Sequence, residues 1–135
     1  DNCAYPHFVM VLYFSESLKN ESMKKFVVTY HMTEEAWAES AKSSPEDAQE
    51  GMKKWMAWSE RVGSQLVDFG TPLMGGQSLS PGGGAQPSTH GVCVYSILEA
   101  ESMEAAIALM DGHPHLGWRG DCQIEVHESM PPPGM

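Results

Sequence analysis

The run "GVCVYSILEA", Gly91 to Ala100, constrains this chain more than any other segment. β-Branched and aromatic residues dominate it, so it reads as a strand. Side chains alternate across a strand, which puts Val92, Val94 and Leu98 on one face and Cys93, Tyr95 and Ile97 on the other. Both sets are largely apolar. A fold built on this strand therefore has to cover both faces of its sheet.

The neighbouring segments predict how. "KKFVVTYHM" is a first strand, with Phe26, Val28 and Tyr30 on one face and Val27, Thr29 and His31 on the other. A short helical turn at "TEEAWAES" is capped by Thr33. "SSPEDAQEGMKKWMAWSERVGSQ" is the main helix: Ser44 caps it, Pro45 opens it, and Glu46 and Asp47 suit its positive end. Met52, Trp55, Met56, Ser59, Val62 and Leu66 recur there at helical spacing. "LVDFG" is a short strand. "TPLMGGQSLSPGGGAQPST" is dense in Gly, Pro and Ser and reads as a loop or an irregular hairpin arm. No Gly-Lys-Ser/Thr follows its glycines, so it is not a phosphate loop. "SMEAAIALMDG" is a second helix from Ser102 to Gly112, and "CQIEVHES" is the last strand. The tail "MPPPGM" cannot continue a sheet.

Strand, helix, strand, strand, helix, strand is the order of a split βαβ unit. The expected fold class is α+β: a ferredoxin-like βαββαβ chain with an antiparallel sheet. Its helices cover one face only. The other keeps Cys93, Tyr95 and Ile97, and a homodimer meeting through the sheet faces would bury them.

Charge narrows the partners. The chain has 135 residues, 18 of them acidic and 8 basic, for a formal net charge of -10. Such a surface repels phosphate backbones and anionic lipid, so neither nucleic acid nor membrane is expected. The three cysteines, Cys3, Cys93 and Cys122, form no CxxC pair, which points away from a disulfide framework or a zinc knuckle and toward a reducing, cytoplasmic setting. "FVMVLYF", Phe8 to Phe14, is far short of the roughly 20 residues of a spanning helix. Residues 1–22 are expected to be an extension upstream of a core domain over 23–135. The alternative is that "FVMVLYF" is an extra strand, since so apolar a run is costly to leave in water.

Four stretches, "MKKFVVTY", "GMKKWMAWSERVGSQLVDFGTPL", "GVCVYSILEAESMEAAIALM" and "GHPHLGWRGDCQIEVHESMP", together resemble the YCII-related family, which is related to the DGPF-domain proteins. The resemblance spans about residues 23–130. It implies a dimeric α/β barrel of two ferredoxin-like protomers, with a cleft for a small molecule between sheet and helices. Some members resemble dehydrochlorinases and isomerases of small ring compounds, and a His/Asp pair has been proposed as catalytic in some. This chain departs from that pattern. Lys53, Lys54 or Trp55 stands about where the helix histidine would fall, His113 replaces the aspartate before the proline, and "STHGV" stands near the place of the DGPF tetrad.

The residues themselves offer several candidates. His113 and His115 bracket Pro114 after the second helix. Imidazole takes and gives protons near neutrality, so either can be a general acid or base, with His115 the freer. The competing reading is a helix exit, with His113 complementing the dipole. Asp68, inside an apolar run, can act as a base or orient a histidine, or lie on an edge strand with its acid in water. Trp55 and Trp58, with Tyr30 or Tyr95, can wall an aromatic pocket or fill the core. His31 can line the ligand site, and Arg119, placed on a loop with Trp118, can hold a carboxylate. His31, His127 and Glu125 share a neighbourhood in this fold, but no HxH or HExxH spacing supports a metal, and no cofactor is expected. Cys93 and Cys122 read as small core residues. The function expected is small-molecule binding to a small aromatic or carboxylate ligand, with lyase- or isomerase-type histidine chemistry. The alternative is a non-catalytic ligand-binding or assembly dimer.

Overall fold

The computed structural model describes residues 23–134. The expectations for residues 1–22, including "FVMVLYF", lie outside them. The described residues form a mixed α+β fold. Strand β1 (Lys24–His31) leads through helix α1 (Glu34–Ser40) and helix α2 (Pro45–Val62) to strand β2 (Leu66–Asp68). A hairpin of β3 (Gln77–Ser80) and β4 (Gly84–Pro87) follows, then β5 (Val92–Ala100), α3 (Met103–Leu109), α4 (Pro114–Trp118) and β6 (Gln123–Ser129).

The caps read from sequence are present. Thr33 accepts from Ala36 N–H at the start of α1, and Ser102 accepts from Ala105 N–H at the start of α3. Ser44 and Asp47 form a reciprocal capping box on α2, with Pro45 in its first turn. None of the helices of the described residues is long and apolar enough to cross a membrane.

Four strands make one antiparallel sheet in the order β2-β5-β1-β6, and β3 and β4 pair separately as a projecting arm. β1 and β2 both run antiparallel to β5, and β5 and β6 both run antiparallel to β1, so two βαβ units interleave. The sheet is open; it does not close into a barrel. All four helices lie against one face. There Phe26, Val28, Tyr30, Leu98 and Ala100 pack with Trp58 and Val62 of α2 and with Ala106 and Met110 at α3, nearly all excluded from solvent.

The faces of β1 are as the alternation requires, but β5 departs from it. Tyr30 pairs with Val94 and His31 with Val92, so Cys93 is an extra, bulged residue. The bulge turns Cys93 into the helix-side core, where Val94 also packs, instead of onto the open face. Val92 and Val94 therefore do not share a register face. A bulge leaves no mark in hydropathy when every residue near it is apolar.

A second correction concerns "HPHLGW". The segment is not a loop after a helix exit. Pro114 occupies the first turn of a new helix, α4, whose N-cap is His113: its Nδ1 accepts the His115 N–H at 3.0 Å.

At the sheet edge, β2 breaks after Asp68, and Gly70 turns the chain with φ +83°. A side chain at Gly70 would collide with the carbonyl of Tyr95 on the neighbouring strand. Gly70→Ala combines that collision with a strained left-handed backbone, so it is expected to cost roughly 2–4 kcal/mol of stability. Urea denaturation of the variant against wild type checks this.

Candidate functional site

The candidate residues fall into two groups on opposite sides of the sheet. The first is buried between sheet and helices. Tyr30, Trp55, Trp58, His113 and His115 form one packed cluster: His113 lies 4.4 Å from Trp58, 4.5 Å from Trp55 and 5.0 Å from Tyr30, centroid to centroid, and Tyr30 meets Trp55 at 5.0 Å. These rings touch one another and build core; they do not wall a pocket together.

Both buried histidines are committed to structure. His115 is 5% exposed, and its Nε2 faces the carbonyls of His31 at 2.9 Å and Gln123 at 3.2 Å. A carbonyl only accepts, so Nε2 carries the proton and donates. This one imidazole ties the end of β1 to the start of β6. Burial pushes its pKa down, partly opposed by those carbonyls. His113 is 1% exposed. Its Nδ1 accepts a backbone N–H, so the neutral ring carries its proton on Nε2, which has no hydrogen-bond partner among the described residues. Burial, then the neighbouring His115 and Arg61, pushes its pKa down to about 3. A histidine held neutral in this way is a poor proton acceptor near pH 7.

A hydroxyl relay completes the interior. Ser96 Oγ donates its one proton to Phe69 O at 2.7 Å, so Tyr30 OH donates to Ser96 Oγ at 3.1 Å. Burial raises the Tyr30 phenol to about 12. Cys93 donates to Tyr30 O at 3.2 Å, and burial pushes its thiol up to about 11, while burial also raises Cys122. Neither has the lowered pKa of a nucleophilic cysteine.

The second group stands on the open face. Glu125, Thr29 and Tyr95 occupy one register row across β6, β1 and β5. Tyr95 extends the row to β2 by donating its hydroxyl to Asp68 Oδ2 at 3.1 Å, and that bond raises the Tyr95 pKa. Asp68 Oδ1 also accepts Gly70 N–H at 2.9 Å, so its carboxylate closes the edge turn as well. Glu125 Oε1 lies 3.1 Å from His127 Nε2 and 3.9 Å from His31 Nε2, and the hydrogen bond to His127, then the charge of His31, lowers its pKa.

His31 has a hydrogen-bond partner at each ring nitrogen. Its Nδ1 lies 2.7 Å from His90 O, which can only accept, so Nδ1 carries the proton. Nε2 of the neutral ring then accepts from Thr29 Oγ1 at 2.8 Å. Thr29 and His90 were not among the sequence candidates. Thr29 alternates in phase with His31, and that pair of polar residues on one face of β1 is the available signal; the contact to His90, far along the chain, carries none. Among the described residues no group of three or more His, Cys, Asp or Glu side chains is placed to hold a metal ion.

Arg119 is not free to hold a substrate. It donates to Asp121 through Nε at 2.9 Å and Nη2 at 3.1 Å, and to Glu39 through Nη1 at 2.7 Å. Thr33 Oγ1 donates to the same Asp121 at 2.6 Å, and Arg119, then Thr33, hold that carboxyl down at about 2. The arginine therefore fastens the loop before β6 to the last turn of α1 at Glu39, and Asp121 fastens it to the N-cap at Thr33.

A cavity of about 380 Å³ opens at the end of the sheet where β1 finishes, lined by Trp37 of α1, by Met74 to Gln77, and by Pro87, Ser88, Gly91 and Val92. Neither buried histidine lines it. No family model, curated protein or solved structure matches the chain.

The buried histidines predict acid sensitivity. Their folded pKa values lie below the free value near 6.5, so the unfolded chain binds protons that the folded one refuses. Their contribution is complete above about pH 6.5 and is lost as pH falls toward the folded values, at about 1.4 kcal/mol per pH unit for each histidine still neutral when folded. His113→Asn keeps a capping acceptor and removes the titration. Its stability is expected to fall less steeply than wild type between pH 7 and pH 5, measured by urea denaturation at each pH.

Proposed function

We propose that this chain is a small-molecule-binding protein with histidine acid–base chemistry of lyase or isomerase type on the open face of its sheet. The observation that carries the reading is the His31 Nδ1–H held by the His90 carbonyl at 2.7 Å. It fixes the tautomer and makes Nε2 the basic atom, which accepts the Thr29 hydroxyl until that hydroxyl rotates away and the lone pair can take a substrate proton. Glu125, 3.9 Å away, is placed to stabilise the imidazolium formed when Nε2 takes a proton. The Tyr95–Asp68 pair supplies a phenol at the end of the Glu125–Thr29–Tyr95 row and a carboxylate bonded to it. His115 is then a positioning residue: it donates to the His31 carbonyl from the other side of the sheet.

The same proposal includes a ferredoxin-like plan, membership of the YCII-related family, and a homodimer that closes the open faces into a dimeric α/β barrel. The strand order and the placement of every helix on one face support the plan. Val27 and Ile97, register partners at the centre of the helix-free face, support the dimer, because apolar side chains there gain from being covered. A second reading, a non-catalytic ligand-binding protein, is favoured by the cavity at Trp37, whose lining has no titratable side chain.

Two measurements test the proposal. Light scattering is expected to give a dimer at micromolar concentration and a monomer for Ile97→Glu, which would bury an unpaired charge in the contact; a wild-type monomer removes the barrel. A thermal-shift screen of small lactones and aromatic acids supplies the ligand. With it, His31→Gln is expected to lower turnover by about 10²–10⁴-fold, and the loss for His127→Gln should be smaller. Full turnover in His31→Gln overturns the acid–base assignment.

A further inference from the structure

The arm of β3 and β4 leaves the body through a narrow neck. Ser88 N–H donates to Gly76 O at 2.9 Å, and a Cβ at Gly76 would stand 3.2 Å from Ser88 Cβ, so glycine is what lets the two chains come this close. The cavity lies between this neck and α1. Its volume, about 380 Å³, is at the small end of ligand sites.

Its chemistry is unusual for this chain. The formal net charge is -10, yet no Asp, Glu, Lys or Arg occurs between Asp68 and Glu99, the stretch that supplies every lining residue except Trp37. An anion entering the cavity would meet no cationic side chain in its lining and would feel the net negative charge of the chain. Arg119, the guanidinium closest in sequence to the last strand, is paired with Glu39 and Asp121 and does not line the cavity. Its lining residues include Trp37, Met74 and Gln77, whose side chains carry an indole, a thioether and a carboxamide that both donates and accepts. Such a set recognises an aromatic face with an uncharged polar edge.

We propose that this cavity binds an uncharged, planar small molecule of the lactone or carboxamide type, packed on Trp37 and hydrogen-bonded by Gln77. The ligand class is thereby narrowed from aromatic or carboxylate to aromatic and neutral. The proposal does not depend on His31 chemistry, because none of the open-face titratable residues lines the cavity.

The test is a ¹⁵N–¹H correlation titration of the full chain with coumarin and nicotinamide as neutral probes and coumarin-3-carboxylate as the anionic one. The Trp37 indole N–H peak is identified by its loss in Trp37→Phe. At least one neutral probe is expected to shift that peak and the Gly75–Gln77 amides saturably, and the carboxylate should bind at least about tenfold more weakly. Gln77→Ala, on a fully exposed strand where folding is not at stake, is expected to weaken the neutral probe about threefold or more without moving the unliganded spectrum elsewhere. Equal or tighter binding of the carboxylate overturns the proposal. So does the absence of any Trp37 shift with both neutral probes, or shifts confined to Thr29, His31 and Tyr95; that last outcome would place binding on the open face and leave the acid–base reading intact.

Discussion

The structure depends on what happens at Tyr30 and His31, the last two residues of the first strand. The Tyr30 hydroxyl starts a buried relay through Ser96 to Phe69, which binds the first strand to the fifth and the fifth to the edge. The Tyr30 carbonyl takes the Cys93 thiol at the bulge, and the His31 carbonyl takes His115 from the corner before the last strand. The bonds from the Tyr30 hydroxyl and to the Tyr30 carbonyl are buried and the other two partly so, and a broken buried bond leaves a polar group unpaired and costs more than the same bond at the surface. One dipeptide thus sets how all four strands of the sheet meet.

That arrangement explains why the histidines of the described residues divide into different environments. Burial decides the character of His113 and His115: each is neutral, and each has a ring nitrogen spent on backbone. His31 sits through the sheet from His115, reached by the same backbone carbonyl, but its ring faces the open side with a threonine and a glutamate around it. The sheet works as a partition. Imidazoles on one side hold the frame, and His31 and His127 on the other stand beside the Glu125 carboxylate.

Much of the frame was legible in the sequence because it is written locally. Ser44, Pro45 and Asp47 mark the start of the long helix within four residues, and Phe26, Val28 and Tyr30 announce their face by period alone. The grouping of His31, His127 and Glu125 followed once the strand order was in hand. What was not legible depended on contacts between distant residues. The shift of Cys93 into the core depends on a bulge against Tyr30, and the loss of Arg119 as a free cation depends on Glu39, far back in the chain. His113 reads from the sequence as a complement to the dipole at the end of α3, whereas it caps the start of α4: Pro114 reads equally well as the end of one helix or the opening of the next, and tertiary packing chose the opening. The cavity at Trp37 needed α1 and the neck of the arm side by side, which no local pattern encodes.

The arm carries a consequence for how chains of this kind can diverge. Every residue of its two strands is exposed, and at Gly82 and Gly84 an added Cβ would meet nothing within 4 Å. Its ends are pinned together by the Gly76–Ser88 bond, so residues added or removed at the tip change only the entropy of a loop already closed. That cost grows with the logarithm of length, about 0.6 kcal/mol for a doubling. Insertions and deletions should therefore collect at the tip and stop at the neck, making the arm the natural place to lengthen this protein, graft a peptide into it or attach a reporter without disturbing the sheet.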